Sequence, residues 1–337
     1  MDERALLERL GEGPAPGDDL AREAGLTRAA IWKRIDALRG AGIGIDARPG
    51  QGYALRSPVS LLDAAAIRAA LPPAAHAELA AGAAALEVAW SLDSTSSELL
   101  RRGPPDRGAT VLFAERQTGG RGRRGRSWAS PLAAHVSFSV ARRFGGGLAR
   151  LGGLSLLAGV AAAEALQAHG VAGIGLKWPN DLVVAGPDGQ LRKLGGILVE
   201  GGGEHAGPAH AVVGVGINVH LPATAADVID QPWTDLARCL PPGVAGPGAI
   251  DRNAVATAVL AQLLPALARF ERDGLAPVLA RFATFDVLAG RDVLVTDGVQ
   301  RHVGVARGVA ADGGLRMQLA GGAERVFHAG EASVRAR

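Results

Sequence analysis

The chain has 337 residues, 48% of them apolar, and a formal charge of +3, so it is long for one domain and can bury large cores. One cysteine, Cys239, excludes an internal disulfide, and no Cys/His cluster has zinc-ligand spacing; a reducing, cytoplasmic setting is expected and no metal site is assigned. The charged start "MDERALLERL" is no signal peptide, and the most apolar run (148–166) contains Arg150 and Glu164, which marks a buried helix and no membrane span.

Residues 1–55 read as three helices and a hairpin. A first amphipathic helix is expected from Asp2 to Leu10. "PGDDLAREAG" starts a second near Pro16, stopped by Gly25. The third, "LTRAAIWKRIDALRGAG", has Thr27 as N-cap, Gly40 or Gly42 as terminator, and an apolar stripe at Ala30, Ile31, Ile35 and Leu38. "IGIDARPGQGYAL" then gives two short strands around a Pro-Gly-Gln-Gly turn. This is the pattern of a winged helix-turn-helix, with the third helix in the major groove and the hairpin as wing. Residues 1–56 hold nine basic and nine acidic side chains, but the third helix sets Arg28, Lys33, Arg34 and Arg39 against Asp36 alone. A one-sided basic face suits phosphate contacts; a solvated helix of an interaction domain is the plainer reading. Candidate DNA contacts are Thr27, Arg28, Trp32, Lys33, Arg34 and Arg48, with Trp32 open between core plug and DNA-backbone contact.

After a connector (55–64), an alanine-rich stretch is helical until Pro72. From Val88 to about Leu221, β-like runs at 87–92, 110–115, 135–141, 174–178, 181–185, 194–200 and 209–218 alternate with helices near 95–102 and 150–169. That predicts a mixed sheet with helices packed on it. Residues 251–274 form a helix that Pro265 should kink, and a shorter helix starts near Pro277. The C-terminal stretch shows short strands split by Asp-Gly turns, the pattern of a five-stranded SH3-like barrel. The fold class is α+β, with expected domains at 1–58, 63–284 and 286–337.

"ERQTGGRGRRGRSW" (115–128) packs five arginines into fourteen residues. Its glycines let the backbone approach a ligand and adopt positive φ. An RG-rich RNA-binding tail would look similar, but such tails are long and repetitive, whereas this stretch is short and pinned between two strands, as binding loops are. No GxxxxGK[ST] loop is present, and no GxGxxG is followed by an acid at dinucleotide-binding distance. Of 36 basic Lys and Arg residues only Lys33, Lys177 and Lys193 are lysine, and Asn180, Asn218 and Asn253 are the only asparagines. In a chain drifted toward Ala, Gly and Arg, such survivors tend to stand where substitutes fail. They point at "KWPND" (177–181), "RKLGG" (192–196) and "GIN" (216–218).

"SLDSTSSELL" (91–100), "ERQTGGRGRRGRSW", "KWPNDL", "RKLGGILVE" and "VVGVGINV" (212–219) resemble, in this order and spacing, the motifs of biotin protein ligases. With the winged helix, and with "DQPWTDL", "DRNAVATAVLAQLL" and "GEASVR" further on, the chain resembles over nearly its whole length the bacterial two-function form, ligase and biotin operon repressor. The resemblance implies a central domain of the biotin/lipoate ligase type. It also implies a two-step reaction: biotin and ATP give biotinyl-5′-AMP, and biotin then passes to a lysine of a biotin carboxyl carrier protein. ATP, biotin and Mg²⁺ are the implied small partners; operator DNA and an adenylate-bound homodimer are the implied assemblies.

The resemblance assigns roles. Lys193 would be the central catalytic group, where a compact ammonium can meet carboxylate and α-phosphate oxygens together; a surface lysine beside a turn is the bland alternative. Arg121 and Arg123 would contact the biotin carboxylate and the phosphates, with Arg124 and Arg126 on the nucleotide side. Gly120 and Gly122 would let the loop fold over the ligand. Ser94, Thr95, Ser96 and Gln117 would bind biotin's ureido ring, although a Ser/Thr run before "ELL" also reads as a helix cap. Gly195 and Gly196 would let a strand approach biotin closely. Lys177, Asn180, Asp181 and Asn218 would line the nucleotide side, with Asp181 serving the carrier lysine or Mg²⁺. Trp128 is open between shielding the adenylate and core burial, and Trp233 between an adenine-side lid and core packing. A non-catalytic biotin-sensing regulator and a lipoate–protein ligase are the competing readings.

Overall fold

The computed structural model describes residues 1–145, 147–204, 207–223, 228–241, 250–329 and 332–336. Part of the glycine-rich 201–208 turn and the first two residues of "GEASVR" lie outside the described residues. The N-terminal unit comprises α1 (Glu3–Gly11), α2 (Gly17–Ala24), α3 (Arg28–Gly40) and the hairpin β1 (Ile45–Arg48) and β2 (Gly52–Leu55). Each helix is closed by local chemistry. Asp2 accepts the Ala5 amide at 2.8 Å, Gly25 ends α2 at φ 64°, and Thr27 accepts the Ala30 amide at 3.2 Å. The expected glycine terminator of α3 is instead followed by Ala41 at the cap, whose amide bonds back to Ala37 and Leu38. Leu6, Leu10, Leu20, Ile31, Ile35 and Leu38 form the unit's own core.

The next elements are α4 (Ala64–Ala70), α5 (Pro73–His76), β3 (Leu86–Leu92), α6 (Thr95–Arg102), β4 (Ala109–Gln117), β5 (His135–Phe144), α7 (Leu154–Ala168), β6 (Ile174–Lys177), β7 (Asp181–Ala185), β8 (Leu191–Gly203) and β9 (Ala209–Asn218). Then follow α8 (Leu236–Cys239), α9 (Arg252–Asp273) and α10 (Ala276–Phe285). The seven strands make a mixed sheet in the order β3-β4-β5-β9-β8-β7-β6, parallel between β3 and β4 and antiparallel elsewhere. One expectation changes: the helix drawn over 150–169 starts at Leu154, because Gly153 sits at φ 87° and breaks the chain before it. α9 carries Pro265 inside one continuous helix. α9 is also long and apolar enough to cross a membrane, but Val255, Val259, Leu263, Leu264 and Leu267 are buried in the protein core.

β10 (Asp292–Asp297), β11 (Gln300–Val309), β12 (Leu315–Leu319), β13 (Glu324–Phe327) and β14 (Ala332–Ala336) close the chain as a five-stranded antiparallel SH3-like sheet, in the order β13-β12-β11-β10-β14. Trp178 of "KWPND" is fully buried and donates its indole N–H to the Gly313 carbonyl at 2.9 Å, which ties the central sheet to this C-terminal unit.

The three units share one continuous body. The Leu132 amide donates to Ala41 at the end of α3 at 2.9 Å, and Trp90 on β3 donates to Glu3 on α1 at 3.0 Å. Arg252 at the start of α9 and Glu115 on β4 form a buried ion pair at 2.6 Å; Arg252 also donates to the carbonyls of Ser60 and His135, and Glu115 accepts the Leu62 amide. Connector, sheet and long helix thus meet on one satisfied charge pair. Removing either partner would leave a buried charge, a loss of about 3–5 kcal/mol.

Candidate active site

The central sheet has two chemically opposite faces, set by the period of two along each strand. On β5, Val136, Phe138 and Val140 point into the core shared with α7 and α9. His135, Ser137 and Ser139 point the other way. Register carries this second face across the sheet, with His135 opposite Asn218, Ser137 opposite Gly216 and Ser139 opposite Gly214 on β9. Gly216 and Gly214 in turn face Gly196 and Leu198 on β8. The result is a floor of glycines edged by hydroxyls.

The floor needs its glycines. A Cβ on Gly214 would stand 2.7 Å from Ser96 Oγ, and one on Gly216 would stand 2.8 Å from the Trp128 ring. Gly195 departs from the sequence reading, which put it beside Gly196 at the ligand. It pairs with Ile217 on the core-facing register, and a Cβ there would meet Gly216 O at 2.6 Å and Leu182 at 3.0 Å. Its small size serves packing within the sheet.

One end of the floor is walled by the start of α6. Ser94 caps that helix by accepting the Ser97 amide at 3.4 Å, so the cap reading of the Ser/Thr run is realised. Thr95 and Ser96 meet Ser139 at 2.7 and 2.9 Å, and Gln117 Oε1 accepts the Thr95 amide at 2.9 Å. Ser94, Thr95 and Ser96 of the run are buried. Glycine at 120 lets the loop backbone lie against Trp128, whose carbonyl would be 2.6 Å from a Cβ there.

The other end is cationic. Lys193 Nζ lies 2.7 Å from Asp181 Oδ1, both side chains largely buried, though off the line that a hydrogen bond needs. The ammonium is 5.7 Å from the Trp128 ring centre. Arg123 donates to Asn180 Oδ1 at 3.2 Å, and Asn180 is anchored by its own donation to Ile197 O at 2.9 Å. Burial, then the neighbouring Arg124 charge, pulls the Arg123 guanidinium below its usual pKa. Burial does the same to the Lys177 ammonium, opposed by Asp181. A site that destabilises its own cations favours an anionic ligand.

Other assigned residues sit differently from expectation. Asn218 spends its amide N–H groups on the carbonyls of Thr234 (2.9 Å) and Lys193 (3.4 Å), so in this structure it fastens a strap to β8. That strap is 232–234: the Lys193 amide donates to Pro232 O and the Thr234 amide to Lys193 O, both at 2.9 Å. Trp233 packs with Ala134 and Leu221 beneath the Arg238 guanidinium, 4.2 Å from its ring centre. Trp128 is half-buried over Gly216 and Gly196, and Arg121 is paired with Glu200 of β8. Gly122 turns the loop, its amide donating to Arg126 O at 2.7 Å, and the Arg124 and Arg126 residues are exposed.

Buried polar atoms under the loop have no partner among the described residues: Ser137 Oγ and Trp128 Nε1. Each such group costs about 1–3 kcal/mol when left unmade. They lie on the glycine-floor face of the sheet, where a polar molecule could satisfy them. Sequence reading missed His135, Ser137, Ser139, Gly214 and Gly216. The alternation in "HVSFSV" could have found the β5 members, since every second residue is polar.

The Biotin/lipoate A/B protein ligase family matches residues 91–218, and an HTH domain matches residues 3–54. The bifunctional ligase/repressor BirA of Salmonella typhimurium is 37% identical over 331 residues, 98% of this chain and 96% of that protein. The Escherichia coli BirA is 36% identical over 95% of this chain and 92% of its own length. The chain belongs to the family of bifunctional biotin ligase/repressors. A solved structure of the Aquifex aeolicus biotin protein ligase in complex with biotin and ATP superposes with a TM-score of 0.59 at 26% identity, covering 74% of this chain and 98% of that one. This family member also carries the helix-turn-helix unit. There, Trp32 is 53% exposed, which decides against a core plug, and Lys33 and Arg48 are also exposed. Arg28 lies 3.5 Å from Asp18, and Thr27 is spent on capping. Arg34 departs from the expected basic face: its guanidinium is turned to the Met1 carbonyl.

Proposed function

We propose that this protein joins biotin to a lysine of a biotin carboxyl carrier protein by way of biotinyl-5′-AMP, and represses transcription through its N-terminal unit. The observation that carries this reading is the meeting of a hydroxyl-lined glycine floor with Lys193 and the 118–128 loop on one face of one sheet. A carboxylate oxygen of biotin attacks the α-phosphorus of ATP, and the bond to pyrophosphate breaks. The carrier amine then attacks the acyl carbon, loses a proton, and AMP leaves. The obstacle in the first step is repulsion: two unit charges 4 Å apart cost about 4 kcal/mol at an effective dielectric of 20. Lys193, Arg121 and Arg123 offset this and stabilise the charge that builds in the transition state. Ser94, Thr95, Ser96 and Gln117, with Ser139 behind them, hold the ureido ring. Gly120, Gly122 and Gly196 give the backbone its close approach, and Arg124, Arg126, Trp128, Lys177, Asn180, Asp181 and Trp233 serve the nucleotide side, with Asn218 fastening the strap beside Lys193. Magnesium would enter as ATP's counter-ion, part of the substrate, and Asp181 and Asn180 would offer it oxygen donors at the site.

Thr27, Arg28, Trp32, Lys33 and Arg48 form the DNA-contacting set. Biotinyl-5′-AMP orders the 118–128 loop and promotes a homodimer that binds operator DNA. The deciding experiment incubates the protein with ATP, biotin and a carrier domain and detects label with streptavidin. Labelled carrier is expected; an unlabelled carrier would leave only a biotin sensor. Unchanged sedimentation and unchanged DNA affinity on adding the adenylate would remove the dimerisation step.

A further inference from the structure

We infer that Glu200 is a resident counter-anion that parks Arg121 away from the reaction centre, and that the ligand's carboxylate must draw Arg121 off it. The inference rests on the reading of Arg121 as a ligand-binding cation, and concerns a residue to which neither the motifs nor the family assignment gave a role. Glu200 lies on the same register of β8 as Gly196 and Leu198, so its side chain stands on the ligand face of the sheet. It pairs with Arg121, and the two side chains are 27% and 41% exposed. Lys193, at the opposite end of this stretch of β8, reaches over Gly196 with its ammonium: a Cβ on Gly196 would be 3.4 Å from Nζ.

Gly196 and Glu200 are four residues apart, about 13 Å along a strand. Glu200 therefore holds the Arg121 guanidinium toward the far end of this stretch of β8 from Lys193. Each of these two cations has its own carboxylate in this structure, Asp181 for Lys193 and Glu200 for Arg121. The Asp181 pair leaves the ammonium at the floor, whereas the Glu200 pair takes the guanidinium off it. Glu200 thus acts through Arg121 as a positioning residue. It weakens ground-state binding of a carboxylate ligand and lowers the barrier to letting the adenylate go. An ion pair this exposed is worth at most a few-fold in an equilibrium.

The test measures equilibrium binding to the full-length protein by calorimetry, with biotin and with biotin methyl ester, whose tail carries no charge. Glu200→Gln should bind biotin about three- to fivefold tighter than the wild type, Glu200→Asp should stay near it, and affinity for the ester should not change. Arg121→Ala should weaken biotin binding and abolish the gain from Glu200→Gln. Unchanged or weaker biotin binding by Glu200→Gln, or an equal gain for the ester, overturns the inference. Circular dichroism and Glu200→Ala guard against a folding artefact. Failure of the wild type to bind biotin would overturn the proposed function itself, whereas normal binding of biotin with no effect of Arg121→Ala would overturn the role of Arg121.

Discussion

The two faces of the central sheet are built from alternate residues of the same strands, yet they obey different rules. The face toward α7 and α9 is Val136, Phe138, Val140, Val213, Val215 and Ile217, all buried and close-packed. The opposite face is His135, Ser137, Ser139, Gly214 and Gly216, where side chains are absent or polar and buried polar atoms lack partners among the described residues. One face gains stability by excluding water from apolar surface. The other gives some of that stability up to keep a polar, glycine-rich surface, a trade that functional sites make. Neighbouring residues on one strand can therefore be told apart by which property they control.

The largest expected effect is on the polar face. Lys193→Ala should abolish biotinyl-5′-AMP synthesis while the protein stays folded; more than a tenth of normal activity, measured by pyrophosphate release, would remove Lys193 from the centre. Next comes a matched pair on β9. Gly214→Ala pushes a methyl group to within 2.7 Å of Ser96 Oγ, which is itself held by Ser139, and should weaken biotin binding at least tenfold. Val215→Ala, one residue along, should cost about 1–3 kcal/mol of stability by denaturant titration and leave biotin affinity within twofold. If the two variants exchange phenotypes, the division between faces is wrong.

A smaller effect appears with pH. His135 is fully buried, and burial together with the Arg252 charge lowers its pKa from 6.5 to about 3. The folded protein thus keeps this imidazole neutral while the unfolded chain takes up a proton. The contribution to stability is fully present above the unfolded pKa of about 6.5 and is lost as pH falls from there toward 3, by at most about 1.4 kcal/mol per pH unit. The carboxylates of Asp93, Glu98 and Glu324 are held below their usual range by arginine hydrogen bonds, so their losses come at lower pH. Between pH 7 and 5, His135→Asn should therefore flatten the fall in melting temperature; an unaltered slope would show that another group titrates. The smallest effect is at Ala133, a non-glycine residue at φ 57° between the loop and β5. Ala133→Gly relieves a left-handed backbone but loses chain entropy, for a net gain of about 0.5 kcal/mol by the same titration.

Much of the site was legible along the chain. "KWPND", "RKLGG" and "GRGRRGR" stood out because lysine and asparagine are scarce and glycine alternates with arginine, and these local signals need no partner to be read. Others misled for a physical reason. Gly195 and Gly196 are equivalent as letters, but a strand turns consecutive residues to opposite faces, so only Gly196 opens onto the floor. Asn218 has the right chemistry for a ligand contact, yet its N–H groups are claimed by Thr234 O on the strap, sixteen residues away, and by Lys193 O on β8. Arg34 reads as part of a basic helix face until the chain's own first residue comes back to meet it.

What the amino-acid order determined by itself is what short-range physics controls: the capped helices of the first unit, the alternation that makes strands, and the flexible arginine loop. Register and packing decided the rest. Which strands lie side by side, which carboxylate holds which cation, and whether an indole is covered all depend on contacts between residues far apart in the chain. Those contacts form only when apolar burial brings the segments together, so no local pattern encodes them. Glu200 is the plainest case: an ordinary acid in a strand, until the fold lays Arg121 across it.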